Sequence, residues 1–221
     1  LKQFAVIGLG RFGMSVARTL YELGYDVLAI DKDEELVNSV ADYTTHAVQG
    51  DATEEGVLQS LGLKNFDVVV VGMGGNIEAS ILVTMMVKEL GVKYVVAKAQ
   101  NDIHAHALYK LGADKVVFPE RDMGIRVAHN LVSTNIMDYI ELSPNYSLIE
   151  IKVLPTWIGK SLKELDLRTK YGINVIAIKR GDAINVTPRA EDVLTKGDVL
   201  IVVGAAEDIN RLEALSDKIT G

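Results

Sequence analysis

The chain has 221 residues, 48% of them apolar and 24% charged, with a net charge of −7. At roughly 100–200 residues per domain this is one large domain or two small ones, and the composition excludes a largely disordered chain. The acidic balance argues against a sequence-independent grip on nucleic acid, and the lack of Cys excludes disulfides, thiol catalysis and thiolate metal sites.

The first 140 residues alternate short apolar runs with amphipathic stretches. Strands are expected at 3–8, 26–30, 46–49, 68–72, 94–98 and 115–118. They are rich in Val, Ile and Ala without strict alternation, as strands buried on both faces are. Helices are expected between them at 11–23, 33–42, 53–61, 76–90, 102–111 and 120–131. Asp33, Thr53, Asn76 and Asp102 are the expected N-caps, and Gly24, Gly62, Gly91 and Gly112 the expected stops. This order predicts an α/β fold, a doubly wound parallel sheet of Rossmann type.

The rhythm changes near residue 140, which divides the chain into an expected nucleotide-binding domain at 1–140 and a smaller α+β domain at 141–221. Residues 133–142 read as a connector with a short helix at 136–140. Strands are then expected at 147–153, 173–179, 183–186 and 199–203, and helices at 161–165 and 207–215. Arg180-Gly181-Asp182 reads as a hairpin turn. The longest apolar stretches, 68–75 and 81–87, fall well short of the ~20 residues of a spanning helix. No basic–apolar–small signal segment opens the chain. It begins on Leu1, so the natural start is expected a few residues upstream.

Gly8-Leu9-Gly10-Arg11-Phe12-Gly13 matches G-x-G-x-x-G, directly after an apolar strand and opening a helix. Gly8 permits the tight turn, Gly10 lets phosphate approach the backbone, and Gly13 lets helix and strand pack closely. Asp31 follows at the end of the second strand, where a carboxylate accepts hydrogen bonds from ribose hydroxyls and repels a 2′-phosphate. Further candidates lie beyond other strand ends. These are Asp51-Ala52, Met73-Gly74-Gly75 and Lys98-Ala99-Gln100. Arg11, a cation on the first turn of a helix, suits a phosphate partner better than plain helix chemistry. Glu120 is good helix-start chemistry in itself. A role beside phosphate would require a divalent cation between the two anions. His104 and His106, two residues apart on one helix, do not share a face.

Catalysis has little to stand on. All four His residues lie before residue 140, and the second domain offers only carboxylates, Lys170, Lys179 and Tyr171, with no recognisable dyad. No G-x-S-x-G, H-E-x-x-H or Walker A motif is present. A nucleotide site beside a domain without obvious chemistry points to sensing rather than catalysis.

The run from Phe4 to Gly13, Asp31, Gly50-Asp51-Ala52-Thr53, Lys98-Ala99-Gln100 and Phe118-Pro119-Glu120-Arg121-Asp122-Met123-Gly124 together resemble the Ktr/Trk family of potassium-uptake regulatory subunits. These are cytosolic RCK, or KTN, proteins, and the match is to their single-repeat Ktr type. The resemblance implies homodimers assembled into rings, commonly octamers, beneath a membrane potassium-transporting subunit, with no nucleic acid partner. It implies a cytoplasmic, membrane-peripheral location. It implies ATP, ADP or NAD(H) in the first lobe, ATP favouring the active ring. Gly8, Gly10, Phe12 and Gly13 would form the phosphate loop, Arg11 would meet the terminal phosphate, and Asp31 the ribose. Lys32, Asp33, Asp51, Ala52, Met73, Gly74, Gly75, Lys98, Ala99, Gln100 and His104 would line the pocket. Glu120 would act near the phosphates, with a divalent cation such as Mg or Ca. The second lobe resembles one that in several relatives binds cyclic di-AMP, through positions matching Arg168, Asn174, Val175, Ile176 and Pro188. The plain structural alternative there is a surface charge, a turn residue and a core strand.

Two other classes remain open on the residues alone. An NAD-dependent oxidoreductase fits the glycine loop and Asp31 equally well. A redox-sensing transcription regulator fits less well, because neither domain is basic.

Overall fold

Six apolar runs of the first half pair side by side, each separated from the next by a helix. The structure, a computed structural model, describes residues 2–132 and 135–220. The runs and their helices are β1 (Gln3–Ile7), α1 (Arg11–Glu22), β2 (Asp26–Asp31), α2 (Glu34–Val40), β3 (His46–Gln49), α3 (Glu55–Ser60), β4 (Val68–Val71), α4 (Ile77–Glu89), β5 (Tyr94–Lys98), α5 (Asp102–Lys110), β6 (Lys115–Val117) and α6 (Pro119–Val132). Every pairing is parallel and the order is β3-β2-β1-β4-β5-β6. The doubly wound sheet expected from the sequence is therefore present, and strand order reverses between β1 and β4, where such sheets bind ligands.

The continuous apolar runs have a plain cause. Successive strand side chains point to opposite faces. Ala5, Ile7, Leu28, Ile30, Val69 and Val71 enter one core, while Val6, Val27, Ala29 and Val70 enter the other. Both faces are covered by helices, so the central strand positions are apolar, and polar residues such as Gln3, Asp26, His46 and Gln49 fall at exposed strand ends.

Two N-caps differ from expectation. Thr53 does not cap α3; its N–H and hydroxyl both donate to Asp51 Oδ1, at 2.9 and 2.6 Å, and Glu54 takes the cap position without a side-chain bond. Asn101 rather than Asp102 caps α5, accepting the His104 N–H at 2.9 Å. Asp33 and Asn76 cap α2 and α4 as expected.

The chain divides into two compact units, residues 1–120 and 121–221. This division lies about twenty residues before the change of rhythm read from the sequence. The second unit contains β7 (Ile136–Ser143), β8 (Tyr146–Lys152), α7 (Leu162–Leu165), α8 (Leu167–Tyr171), β9 (Ile173–Arg180), β10 (Ala183–Asn185), β11 (Val199–Ala205) and α9 (Ala206–Thr220). Its sheet is antiparallel, in the order β10-β9-β11-β8-β7. Ile149, Ile151, Trp157, Leu165, Ile173, Leu200 and Val202 form its core.

The expected helix at 136–140 is instead the strand β7. A register shift between Ile136 and Asp138 puts the buried residues Ile136 and Tyr139 three apart, which imitates helical spacing. Ser133 and Thr134 of the expected connector lie outside the described residues. The expected hairpin is present, with Arg180 paired to Ala183 across Gly181-Asp182. The helix α8, not expected from sequence, is separated from α7 by Asp166, a non-glycine residue at φ +45.

Candidate functional site

Where β1 meets α1, three backbones touch. A Cβ on Gly13 would lie 1.8 Å from the Gly8 carbonyl oxygen, and one on Gly72, just past β4, would lie 2.9 Å from the same atom. Gly8 itself sits at φ +90, a conformation that favours glycine. The loop is closed by the Gly8 N–H donating to the Ile30 carbonyl at 2.8 Å. It is also held by the Leu9 N–H donating to Asp31 Oδ2 at 2.6 Å. The other oxygen, Oδ1, accepts the Asp33 N–H at 2.9 Å. Each carboxylate oxygen keeps a second lone pair for a ligand.

The start of α1 is chemically bare. Gly10 is its N-cap and supplies no side-chain bond, and no acid lies in the first turn. The N–H groups of that turn are thus left for an anion. Gly10 has nothing within 4 Å of where a Cβ would sit. The loop therefore leaves room above its backbone, which fits a phosphate.

Two clefts adjoin there, sharing Gly10, Gly72, Gly74 and Gly75. The first encloses about 460 Å³ and is lined by Gly8, Asp31, Lys32, Asp51, Ala52 and Met73, with Ile7, Ile30, Gly50, Thr53, Asn76 and Ala79. The second encloses about 450 Å³ and is lined by Arg11, Phe12, Lys98, Gln100 and Glu120. One thus carries two carboxylates, one ammonium and apolar walls, the other two cations and one carboxylate. Asp51 is held below the ordinary carboxylate range, first by the Thr53 hydroxyl, then by the Thr53 N–H, against a small opposing effect of burial. Glu120 is ion-paired with Lys98, which holds its carboxyl low, with a weaker contribution from Arg11.

Four expected residues line neither cleft. Gly13 packs beneath the loop. Asp33 is occupied as a helix cap, accepting the Glu35 N–H at 2.9 Å. Ala99 is buried and its N–H donates to the Val117 carbonyl at 2.9 Å. His104 is buried, and burial lowers its imidazole pKa; Nδ1 accepts the Gln100 N–H at 3.3 Å, which leaves the neutral ring's proton on Nε2. Of the residues not expected, Gly72 is the most informative. Its signal was the apolar run Val68–Val71 ending on a glycine at the strand adjoining β1.

Among the described residues no group of three or more His, Asp or Glu side chains is placed to hold a metal, so Glu120 would need oxygens from elsewhere to bind a cation. None of the helices among them is long and apolar enough to cross a membrane.

In the second unit, Arg168, Asn174 and Val175 line one cavity of about 340 Å³ with Lys163, Asp166 and Ile173. Ile176, which is exposed, and Pro188 are not among its lining residues.

Comparison with known proteins matches residues 4–119 to the TrkA-N domain and 148–217 to the TrkA-C domain. Ktr system potassium uptake protein C of Bacillus subtilis (strain 168) is 54% identical over 212 residues, covering 96% of each chain. Ktr system potassium uptake protein A of the same organism is 46% identical, again over 96% of each. The crystal structure of the GsuK RCK domain superposes with a TM-score of 0.68 at 19% identity. It covers 97% of this chain, which spans about 47% of that longer one, and shows the shared fold. Glycine loop, strand-end carboxylate, two-unit architecture and these matches agree, and the chain belongs to the Ktr/Trk family of potassium-uptake proteins, joining a TrkA-N to a TrkA-C domain.

Proposed function

We propose that the chain is the nucleotide-sensing regulatory subunit of a potassium uptake system, and that it gates transport rather than catalysing a reaction. The observation that carries this is the pair of adjoining clefts, acidic and apolar on one side of the glycine turn and cationic on the other. An adenine nucleotide has that polarity. Asp31 accepts the ribose hydroxyls, Ile7, Ile30, Ala52 and Met73 line the cleft for the adenosine half, and Asp51 and Lys32 lie on its rim. Gly10 and the first turn of α1 receive the phosphates, and Arg11 and Lys98 match the charge of the last one. Were a divalent cation such as Mg or Ca bound there, Glu120 would supply it a carboxylate oxygen and the cation would offset phosphate charge.

ATP and ADP share every contact made by the adenosine half. Only the second cleft distinguishes them, and only a difference in affinity between two states of an assembly moves its equilibrium. NAD or NADH places its second half across the same turn. The assembly is a homodimer extended to a ring of eight, held at the inner face of the cell membrane by its potassium-transporting partner. In the second lobe, Arg168, Asn174 and Val175 supply a cation, an amide and an apolar wall for cyclic di-AMP. Ile176 and Pro188 complete that site from a second copy.

Small-angle scattering of the isolated assembly with ATP, with ADP and without nucleotide tests the switch. Distinct profiles for ATP and ADP support it. Identical profiles at verified occupancy contradict it. Steady nicotinamide turnover lost on Asp31→Ala replaces it with an oxidoreductase.

A further inference from the structure

Lys98 and Glu120 close on one another across the second cleft, and the pair is lopsided. The Lys98 side chain is 12% exposed and the Glu120 side chain 68%. Lys98 lies along the glycine turn after β4, so closely that a Cβ on Gly74 would come 2.9 Å from its Nζ and 3.0 Å from its Cε. Its side chain therefore packs against the Gly74 backbone and is mostly buried, while the carboxylate reaches in from the first turn of α6. Arg11 lines the same cleft, so two cations there share one carboxylate.

An ion pair with one exposed partner contributes little by itself. A phosphate offers more charge and three acceptor oxygens, and its hydrogen bonds to an ammonium are charge-assisted. Such a group outcompetes Glu120 for Lys98. A ligand whose phosphates stop inside the first cleft leaves the pair closed.

We propose that Lys98 sets specificity for phosphate-chain length by exchanging partners. It holds Glu120 until a phosphate occupies the second cleft, then gives up the carboxylate and frees the first turn of α6. This rests on the nucleotide reading above and adds its regulation. It has an unusual signature. Glu120 competes with the ligand, so removing the carboxylate and removing the ammonium act in opposite directions.

Calorimetric titration of the whole chain with ATP and ADP, in chelator so that no cation bridges Glu120 to phosphate, reads this out. Lys98→Met is expected to weaken ATP about tenfold and ADP by less than about threefold. Glu120→Gln, a change on an exposed side chain, is expected to strengthen ATP severalfold, and the gain disappears in the double variant. Equal weakening of ATP and ADP by Lys98→Met overturns the exchange, as does weaker ATP binding by Glu120→Gln. Either result, with wild-type ADP binding intact, leaves the nucleotide site standing. Absence of any binding by the wild-type chain removes both.

Discussion

The carboxylate of Asp31 accepts the N–H of Leu9 at 2.6 Å, joining the end of β2 to the glycine loop twenty-two residues earlier. The residue expected to hold a ribose therefore also holds the loop that would receive the phosphates. Asp31→Asn keeps the shape but weakens a charge-assisted bond, and an amide nitrogen turned toward Leu9 leaves a buried donor facing a donor. A stability loss of about 1–2 kcal/mol is expected in urea unfolding. Nucleotide affinity falls further than that loss alone accounts for, because the ribose acceptor is lost as well.

Gly10 and Gly13 are expected to fail differently. A Cβ at Gly13 meets the Gly8 oxygen, whereas one at Gly10 meets nothing within 4 Å, and Gly10 has an ordinary extended backbone. Gly13→Ala should lower the melting temperature severely. Gly10→Ala should melt like the wild type yet lose nucleotide affinity, since its methyl occupies the phosphate's space. Normal nucleotide binding by Gly10→Ala would contradict the loop's assigned role.

Most of the first lobe was legible in the sequence because its strands are short apolar runs, most of them buried on both faces, and four of the six (β1 to β4) end on Asp or run into a glycine. The second lobe was less so. The register shift in β7 brings Ile136 and Tyr139 to the core three residues apart, and no period-two pattern survives to betray a strand. Asp166 at φ +45 ends α7, and the second short helix beyond it, α8, lies past the one helix expected at 161–165. At the site, Asp51 draws Thr53 into a turn and away from capping α3, a competition between two local hydrogen bonds that spacing alone cannot decide. His104 was expected in the pocket but is buried and lines neither cleft, its Nδ1 taken by the Gln100 N–H and its own N–H by the Asn101 cap.

Asp198 supplies a pH dependence. It is buried and bonded to Arg180 Nε and Nη2, both at 2.8 Å. Arg180 first, and then the Thr195 N–H and hydroxyl, outweigh burial and bring its carboxyl down from 3.8 to about 2. A carboxyl lowered on folding stabilises the protein above its unfolded value and loses that contribution as pH falls from 3.8 toward about 2. The contribution is about 2 kcal/mol. Asp198→Asn should therefore destabilise at pH 7 by about that amount and flatten the stability curve below pH 4. Parallel curves for the two proteins would contradict the assignment.

Arg11 stands at a helix start where a cation is otherwise unfavourable, and lines the second cleft. Arg11→Ala is expected to weaken ATP about tenfold or more while ADP changes little, by calorimetry. An equal effect on both would place Arg11 outside the terminal-phosphate site.

The central claim is that one adenosine docks across the β1–β4 reversal, with its ribose on Asp31 and its phosphates running from Gly10 toward Lys98. A crystal structure of the whole chain grown with millimolar ATP measures this directly. The account predicts density for a ribose within hydrogen-bond reach of Asp31 and for phosphate in the cleft between Arg11 and Lys98. Clear density for the protein with both clefts filled by its own side chains, or with the nucleotide bound elsewhere, would contradict it.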